Sequence, residues 1–330
     1  MDGICTLAND RVYDQLVALL NSIEAILGPE FPVCIYPYDD RTTKIAAEIA
    51  RRPNVQLYQE LDSIAEWDSF ARSAWEAHPT AHQRWEAIGS NSAYRFGTHR
   101  RYCAFDGPFD RFFYMDADTL LMSSLEPIFD RLNDLDFVVY DFQHKDPSHV
   151  YELSSGKLDP LFPPERVESE IFCSGFYGSK RGVFSRDRRE WLLEKLREGD
   201  AEVLYPMAPD QTLLNYMVMR SDIPSYNLAL NLPRTERTGN SVTSSHFQAK
   251  DHILYDRGYR LTYLHYIGIS SKVFSRICAG ENIDFPYRDM FLHYRYLHEP
   301  DRRPQWKTKP KPYNQPPSLA TRLLKKIGFS

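Results

Sequence analysis

One short stretch, Arg111–Leu121, constrains the fold of this chain more than any other. Its apolar residues run directly into Asp116 and Asp118, which are separated only by Ala117. A short apolar run of this kind predicts a strand that is buried on both faces of a parallel sheet. Ligands of such sheets bind just beyond the carboxyl ends of the strands. We therefore expect both carboxylates to emerge into a ligand crevice, with the small Ala117 keeping the turn between them open.

Two carboxylates at positions i and i+2 of a strand exit suit a divalent cation that also holds phosphate oxygens. Such pairs often arise by chance, and the alternative is that Asp116 and Asp118 only cap the turn after the strand. Their position at the end of a buried apolar run favours metal binding. A cation at this place implies a substrate that carries a diphosphate.

Strands and helices alternate at the start of the chain, which is typical of a parallel, doubly wound α/β sheet. The predicted strands there are Ile4–Leu7, Val33–Tyr36 and Val55–Tyr58, and the predicted helices are Tyr13–Leu27 and Thr42–Arg51. Further along, we predict helices over Thr98–Phe105 and Asp187–Arg197, a helix within Pro206–Arg220 that begins at Asp210, and strands over Phe137–Tyr140, Ile171–Tyr177 and Tyr259–Tyr266. The polar segment Gln143–Glu168 is predicted to be a mobile loop near the site.

The bulk properties exclude several classes of protein. A net charge of −5 argues against general nucleic-acid binding. The five cysteines are scattered without a CxxC pair, which predicts reduced core thiols in a cytoplasmic protein. The first residues enter a strand almost at once, which leaves no room for a signal peptide, and no apolar run reaches membrane-spanning length.

The composition changes at Asp301, after a predicted domain of residues 1–300. The tail 301–330 carries eight basic residues and one acidic residue among several prolines. Leucine and isoleucine recur every four residues within 318–330, which predicts a short basic amphipathic helix over Leu319–Phe329. Such a helix suits peripheral contact with the inner face of an anionic membrane, although a solvated tail or a helix docked on its own domain explains the pattern equally well.

Around its paired aspartates the sequence resembles the family 8 glycosyltransferases. Segments similar to that family's motifs follow one another in the family's order: Thr6–Tyr13, Arg100, Tyr114–Leu120, Cys173–Gly175, Asp210–Asn215 and His265–Lys272. The resemblance implies a GT-A-like α/β fold, which is Rossmann-like with a mainly parallel central sheet flanked by helices. It also implies metal-dependent transfer of a sugar from a nucleotide diphosphate donor, with UDP as the expected nucleotide and with retention of the anomeric configuration. The acceptor, whether glycan, lipid-linked or protein, stays open.

The resemblance further implies a role for each matching residue. Asp116, Asp118 and His265 would hold the metal, and this nitrogen and oxygen set suits Mn²⁺ better than Mg²⁺. Asp210 would bond donor-sugar hydroxyls, with Gln211 near the face opposite the leaving group, as the candidate catalytic pair. The residues implied in binding the nucleotide and its phosphates are Leu7, Ala8, Asn9, Tyr13, Arg100, Ala117, Gly268 and Lys272.

The sequence departs from the family's pattern at three points. Cys173 stands where the motif has asparagine, and the spacing from Gly268 to Lys272 is one residue longer, so Ser271 is an alternative at the lysine position. The Pro-Trp pair that often follows in the family is absent. Simpler interpretations also exist: Asp210 could cap a helix, and His265 could be an ordinary core histidine.

Two other functions compete with the transferase. A phosphohydrolase of the haloacid dehalogenase type also places DxDxT after an apolar strand, with the first aspartate as nucleophile. That function gives His265 and Gly268 no role. The second alternative, which the Cys173 departure keeps open, is a protein that binds nucleotide sugars without turnover, or a membrane-surface scaffold that uses the basic tail.

Overall fold

The computed structural model describes residues 1–90 and 94–314. Its strands are β1 Asp2–Ala8, β2 Val33–Pro37, β3 Val55–Leu57, β4 Arg111–Met115, β5 Thr119–Leu121, β6 Phe137–Val139, β7 Phe176–Lys180, β8 Ser225–Asn227, β9 Gln248–Lys250, β10 Ile253–Asp256, β11 Tyr259–Arg260, β12 Tyr263–His265, β13 Ile283–Asp284 and β14 Lys311–Pro312. Its α-helices are α1 Tyr13–Leu27, α2 Thr43–Ile49, α3 Leu61–Glu76, α4 Ala81–Ala87, α5 Glu126–Arg131, α6 Leu158–Leu161, α7 Pro164–Glu170, α8 Arg186–Arg197, α9 Pro209–Arg220, α10 Leu228–Asn231, α11 Ser271–Cys278 and α12 Arg288–Arg295.

A seven-stranded sheet with the order β3-β2-β1-β4-β7-β6-β8 occupies the centre of the molecule. Strand β7 is antiparallel to both of its neighbours, β4 and β6, and the other neighbouring pairs are parallel. The predicted mainly parallel α/β sheet is therefore confirmed. The alternation at the start of the chain is confirmed as well, because β1, α1, β2, α2 and β3 follow in the predicted order.

Strand β4 is apolar because it is covered on both faces. Its successive side chains point to opposite sides of the sheet, as in any strand. Phe112 and Tyr114 lie in one hydrophobic cluster, which also holds apolar side chains of α3, α8 and α9. Phe113 and Met115 lie in a second cluster, with α1 and α5. The strand that leads to Asp116 is thus held rigidly between two helical layers.

Two predicted strands are displaced in the structure. The predicted strand Ile171–Tyr177 begins only at Phe176, because side chains bind the backbone that precedes it: Asn215 bonds both backbone groups of Phe172. The predicted single strand Tyr259–Tyr266 is two strands, since β11 pairs with β10 and β12 pairs with β5. Because the segment changes its partner strand between β11 and β12, it cannot form one continuous regular strand.

Two further segments differ in detail from prediction. The predicted helix Thr98–Phe105 is a 3₁₀ helix over Phe96–Asp106. The predicted loop Gln143–Glu168 contains short 3₁₀ turns, α6 and the greater part of α7. This segment is structured because apolar side chains within it, among them Tyr151 and Phe162, are buried in the first cluster.

The tail contacts the body of the molecule where it is described. Strand β14 pairs with β13, and the indole nitrogen of Trp306 donates a hydrogen bond to the Gly280 carbonyl at 2.7 Å. The predicted helix Leu319–Phe329 lies outside the described residues, and the division at residue 301 stays a prediction. Within residues 1–90 and 94–314, no helix has both the length and the apolar character needed to cross a bilayer.

Candidate metal and nucleotide site

Three strand ends meet at one edge of the central sheet. The parallel strands β1 and β4 end there, and β7 begins there because it runs the opposite way. Met115, the last residue of β4, lies opposite Phe176, the first residue of β7. One residue further out, the Asp116 amide donates to the Gly175 carbonyl at 2.9 Å. This edge is where the sequence predicts a crevice.

The paired aspartates lie in a tight turn that a distant segment completes. Thr119 donates to the Asp116 carbonyl from its amide at 3.0 Å and from its hydroxyl at 2.7 Å. The turn leads into β5, which pairs antiparallel with β12 so that His265 lies opposite Thr119. The ligand atoms of Asp116, Asp118 and His265 consequently lie within 4.8 Å of one another.

This spacing fits a single divalent cation. Opposite ligands of a bound Mg²⁺ are about 4.2 Å apart, because each bond is 2.0–2.1 Å long, so a small side-chain movement would close the set around one ion. Because Gly175 has no side chain, it leaves room for the His265 and Asp116 side chains at this site. A Cβ atom at that position would lie 2.7 Å from Cε1 of His265 and 2.9 Å from Oδ2 of Asp116.

The electrostatics of the three side chains are interdependent. Burial raises the pKa of the Asp116 carboxyl, against the lowering effect of the Arg101 guanidinium. Burial also opposes ionisation of Asp118, but the nearby His265 imidazole lowers its pKa below the usual value. For His265, burial favours the neutral ring, yet the Asp118 carboxylate, whose Oδ1 lies 3.3 Å from Nε2, raises its pKa well above normal. A cation bound here would displace that proton, because a metal ligand must be deprotonated.

Arg101 links the site to α9, and the sequence did not identify it. Its side chain is 4% exposed and lies 3.2 Å from Asp116 and 2.9 Å from Asp210. Its other nitrogens donate to the Ser174 carbonyl and hydroxyl at 2.8 Å and to the Thr98 carbonyl at 3.1 Å. Burial opposes ionisation of Asp210, but Arg101 offsets it and lowers the pKa of Asp210 to about 2.

Asp210 and Gln211 occupy the first turn of α9 at the same edge. The residue before the helix, Ala208, makes no side-chain cap, and the Asp210 carboxylate bonds Arg101 instead, so it does not serve as a helix cap. The amide of Gln211 is held at both ends. Its oxygen accepts from the Ser174 amide at 3.2 Å, and its nitrogen donates to the His149 carbonyl at 2.9 Å.

A cavity of about 280 Å³ opens beside the paired aspartates. Of the residues predicted to bind the nucleotide, Leu7, Ala8, Asn9 and Ala117 line it. The other lining residues, beside Asp116 and Asp118, are Arg11, Val12, Gln15, Tyr38, Arg95, Thr98, Arg101, Ile269 and Ser271. The cavity therefore joins the end of β1 to the candidate metal site.

Four residues predicted to bind the nucleotide lie outside this lining. Tyr13 turns towards α2, where its hydroxyl donates to Glu48 at 3.1 Å, because the 3₁₀ turn before α1 places Val12 at the cavity instead. Gly268 is in a turn with a φ of 80°, which favours glycine. The remaining two, Arg100 and Lys272, are the predicted phosphate ligands.

At the cavity, the structure places the residues next to these two in sequence, Arg101 and Ser271. Arg100 pairs with Asp68 at 2.9 Å, and Arg101 faces the site. Lys272 is exposed on α11, and Ser271 lines the cavity. Successive residues point about 100° apart around an α-helix and about 120° apart around a 3₁₀ helix, so the two members of each pair face different surroundings. Nothing in the adjacent Arg-Arg pair of the sequence distinguishes its two members.

Asp141 is a second site residue that the sequence analysis missed. It follows β6 at the same sheet edge and accepts from the amides of Gln143 at 2.6 Å and Cys173 at 3.1 Å. Burial raises its pKa to about 7. The sequence pattern that indicates such a residue was present, because Asp141 follows an apolar strand just as Asp116 does.

Known structures share this architecture. No protein-family model matches the sequence, and no curated protein matches it. The bifunctional glycosyltransferase WbbM in its apo form superimposes with a TM-score of 0.53 at 14% identity, over 92% of this chain and 51% of that one. The galactosyltransferase LgtC, in complex with donor and acceptor sugar analogues, superimposes with a TM-score of 0.50 at 15% identity, over 88% of this chain and 100% of that one.

These likenesses establish the fold. The chain has the GT-A fold of the glycosyltransferases, as its resemblance to family 8 implies, and that expectation is confirmed. It spans about half the length of WbbM and the whole length of LgtC. Mouse xyloside xylosyltransferase 1 is a more distant match, with a TM-score of 0.48 and 10% identity over 69% of this chain and 85% of that one.

Proposed function

We propose that the chain is a metal-dependent glycosyltransferase that moves a sugar from a nucleotide diphosphate donor, with UDP as the expected nucleotide. One observation carries the proposal: Asp116, Asp118 and His265 converge beside a cavity at the strand ends of a GT-A fold. The first two residues are close in sequence, but the third comes from a strand far along the chain. Core packing alone does not require a histidine at that position.

Each residue then has a chemical task. Asp116, Asp118 and His265 would hold Mn²⁺ or Mg²⁺, which as a Lewis acid absorbs negative charge on the departing nucleoside diphosphate. Asp210, kept ionised by Arg101, accepts hydrogen bonds from donor-sugar hydroxyls. The Gln211 amide is a poor nucleophile, so it positions the sugar and does not attack it. Retention of configuration is part of the proposal through the family resemblance.

The position of His265 argues against the phosphohydrolase. Oδ1 of Asp116 accepts from the Tyr114 hydroxyl at 2.9 Å and lies 3.2 Å from Arg101, which engages only one of the two carboxylate oxygens and does not decide between the functions. The phosphohydrolase mechanism, however, gives no task to the His265 side chain that lies beside both aspartates. A binding protein without turnover uses the same site, and only assay of sugar release distinguishes it from a transferase.

The test is a panel of nucleotide sugars with Mn²⁺, Mg²⁺ or a chelator, scored by thermal unfolding. A preferred donor at 100 times its dissociation constant adds about 2.7 kcal/mol to the folded state. We expect this stabilisation with metal, little with the chelator, and little in the Asp118→Asn variant. A panel in which no donor stabilises, or in which the chelator changes nothing, contradicts the proposal. Slow release of sugar from the preferred donor, without hydrolysis of phosphomonoesters, then separates a transferase from both alternatives.

The location of the enzyme in the cell is also part of the proposal. The basic segment 318–330 would bring the enzyme to the inner face of a membrane from the cytoplasm, where nucleotide sugars and lipid-linked acceptors meet. The support is its sequence pattern, in which basic residues alternate with apolar ones at helical spacing.

A further inference from the structure

Two of the arginines that line the cavity make no ion pair or hydrogen bond through their guanidinium groups among the described residues. Within residues 1–90 and 94–314, neither guanidinium of Arg11 and Arg95 makes an ion pair or a hydrogen bond, and both side chains are exposed. By contrast, Arg100 is paired with Asp68, and Arg101 with Asp116 and Asp210. Arg11 and Arg95 are the cations of this cavity that are free to bind a ligand.

Hydrogen bonds fix the main chain of both arginines beside the cavity. The Arg11 amide donates to the Asn9 side chain at 3.0 Å in the turn after β1. Arg95 has a φ of 52°, a left-handed conformation that is uncommon outside glycine, and its carbonyl accepts from the Thr98 amide at 2.9 Å and hydroxyl at 2.7 Å. The backbone at Gly97 packs closely against the residue that follows β2, since a Cβ atom on Gly97 would lie 2.3 Å from the Tyr38 carbonyl.

Charge balance indicates what these arginines bind. A divalent cation would neutralise Asp116 and Asp118, and Arg101 already neutralises Asp210. Arg11 and Arg95 then leave the cavity with two uncompensated positive charges. The diphosphate of a nucleotide sugar carries two negative charges, and the planar guanidinium group binds phosphate oxygens through paired hydrogen bonds.

We propose that Arg11 and Arg95 bind the diphosphate of the donor, in place of Arg100 and Lys272. This inference rests on the proposed function, and it names the side chains that would hold the two phosphates of the donor. A donor whose sugar is linked through a single phosphate would leave one of the two arginines uncompensated.

The test compares Arg11→Gln and Arg95→Gln with Arg197→Gln, which removes the same charge from an exposed arginine on α8. The probes are uridine, UMP, UDP and GDP, titrated calorimetrically with MnCl₂ at several salt concentrations. Hydrogen bonds to charged groups predict that each cavity variant weakens UDP binding about tenfold to hundredfold, with a shallower salt dependence and unchanged uridine binding. Arg197→Gln should bind UDP as the native protein does.

The possible outcomes test this inference separately from the proposed function on which it rests. If the native protein binds neither UDP nor GDP with Mn²⁺, the proposed function fails. If the native protein binds UDP but both cavity variants bind it as tightly as Arg197→Gln does, only the inference is overturned. The same holds if the cavity variants weaken uridine binding as much as UDP binding. It also holds if UDP affinity falls only in Arg100→Gln and Lys272→Gln. Unfolding temperatures without ligand check that the variants are folded. Arg11→Lys and Arg95→Lys, which keep the charge, should restore part of the affinity.

Discussion

At the scale of single residues, the site depends on which of two neighbours faces inwards. Arg100 and Arg101 are chemically identical, yet one bonds Asp68 near the surface and the other joins two carboxylates at the site. Ser271 and Lys272 divide in the same way between cavity and solvent. Sequence similarity locates the segment, but the rotation of the helical turn about its axis decides the residue.

Gly175 offers the sharpest test at this scale. We expect Gly175→Ala to displace His265 or Asp116 and to weaken Mn²⁺ binding about tenfold or more, as changes next to metal ligands commonly do. The crowding should also cost about 1–3 kcal/mol of stability. Calorimetric titration with Mn²⁺ and urea unfolding measure the two effects.

Gly178→Ala is the matched control. Its Cβ atom would meet the Phe113 ring at 2.4 Å, so the added methyl group is equally crowded but lies against an apolar side chain. This variant should lose stability while its folded fraction keeps native Mn²⁺ affinity. Equal Mn²⁺ affinities in the two variants would show that Gly175 gives the ligands no special room.

At the scale of elements, the site forms where unlike segments pair. Strand β7 runs against its neighbours and so brings its first residues to the edge where β1 and β4 end. Strand β12 pairs with β5 and delivers His265 to the aspartate turn. The 3₁₀ helix over Phe96–Asp106 delivers Arg101, which bonds the turn, the segment before β7 and α9. The order of pairing therefore assembles the site.

Removal of Arg101 should show how far these elements depend on it. Arg101→Met leaves Asp116 and Asp210 without their buried counter-charge, which should cost about 3–5 kcal/mol in urea unfolding without metal. Adding Asp210→Asn removes one of the two charges and should recover part of the loss. Arg100→Met breaks a more exposed pair with Asp68 and should cost clearly less. A loss for Arg101→Met no larger than for Arg100→Met would refute this account.

At the scale of the whole molecule, the carboxy-terminal part packs on the first helix. A third hydrophobic cluster combines Ala18 of α1 with side chains of α11 and α12. Polar contacts reinforce it: Arg295 lies 2.8 Å from Asp14, and the Asn21 amide donates to the Tyr294 carbonyl at 2.6 Å. The segment that carries His265 is thereby held against the segment that carries Arg11.

The tail gives a prediction at this scale. Deleting residues 318–330 removes three basic residues, Arg322, Lys325 and Lys326, each contributing about 1 kcal/mol to binding at an anionic surface. We expect binding to phosphatidylserine-containing vesicles to fall about a hundredfold by co-sedimentation, and the difference to shrink at high salt. Neutral phosphatidylcholine vesicles are the control. Unchanged binding to the anionic vesicles would remove the membrane contact from the proposal.

Much of this protein is readable from local pattern. The apolar run before Asp116 predicts a strand covered on both faces, and β4 is such a strand. The bounds of α1 agree with the predicted Tyr13–Leu27, because the spacing of its apolar side chains follows the helical repeat. The motifs in their order indicate the GT-A fold. The strand and the helix depend on neighbours within a few residues, and the order of the motifs can be read directly along the chain, so the sequence contains all three.

The remaining features exist only in three dimensions. Arg101 and Asp141 became site residues when the sheet order and the rotation of each segment placed them at one edge. The same packing turned Tyr13 away, and it brought Arg11 and Arg95 to the wall of the cavity. Sequence pattern specifies which face of an element is apolar, but the neighbouring elements decide which polar side chains share a cavity, because the charges of this site are paired between segments that lie far apart in the sequence.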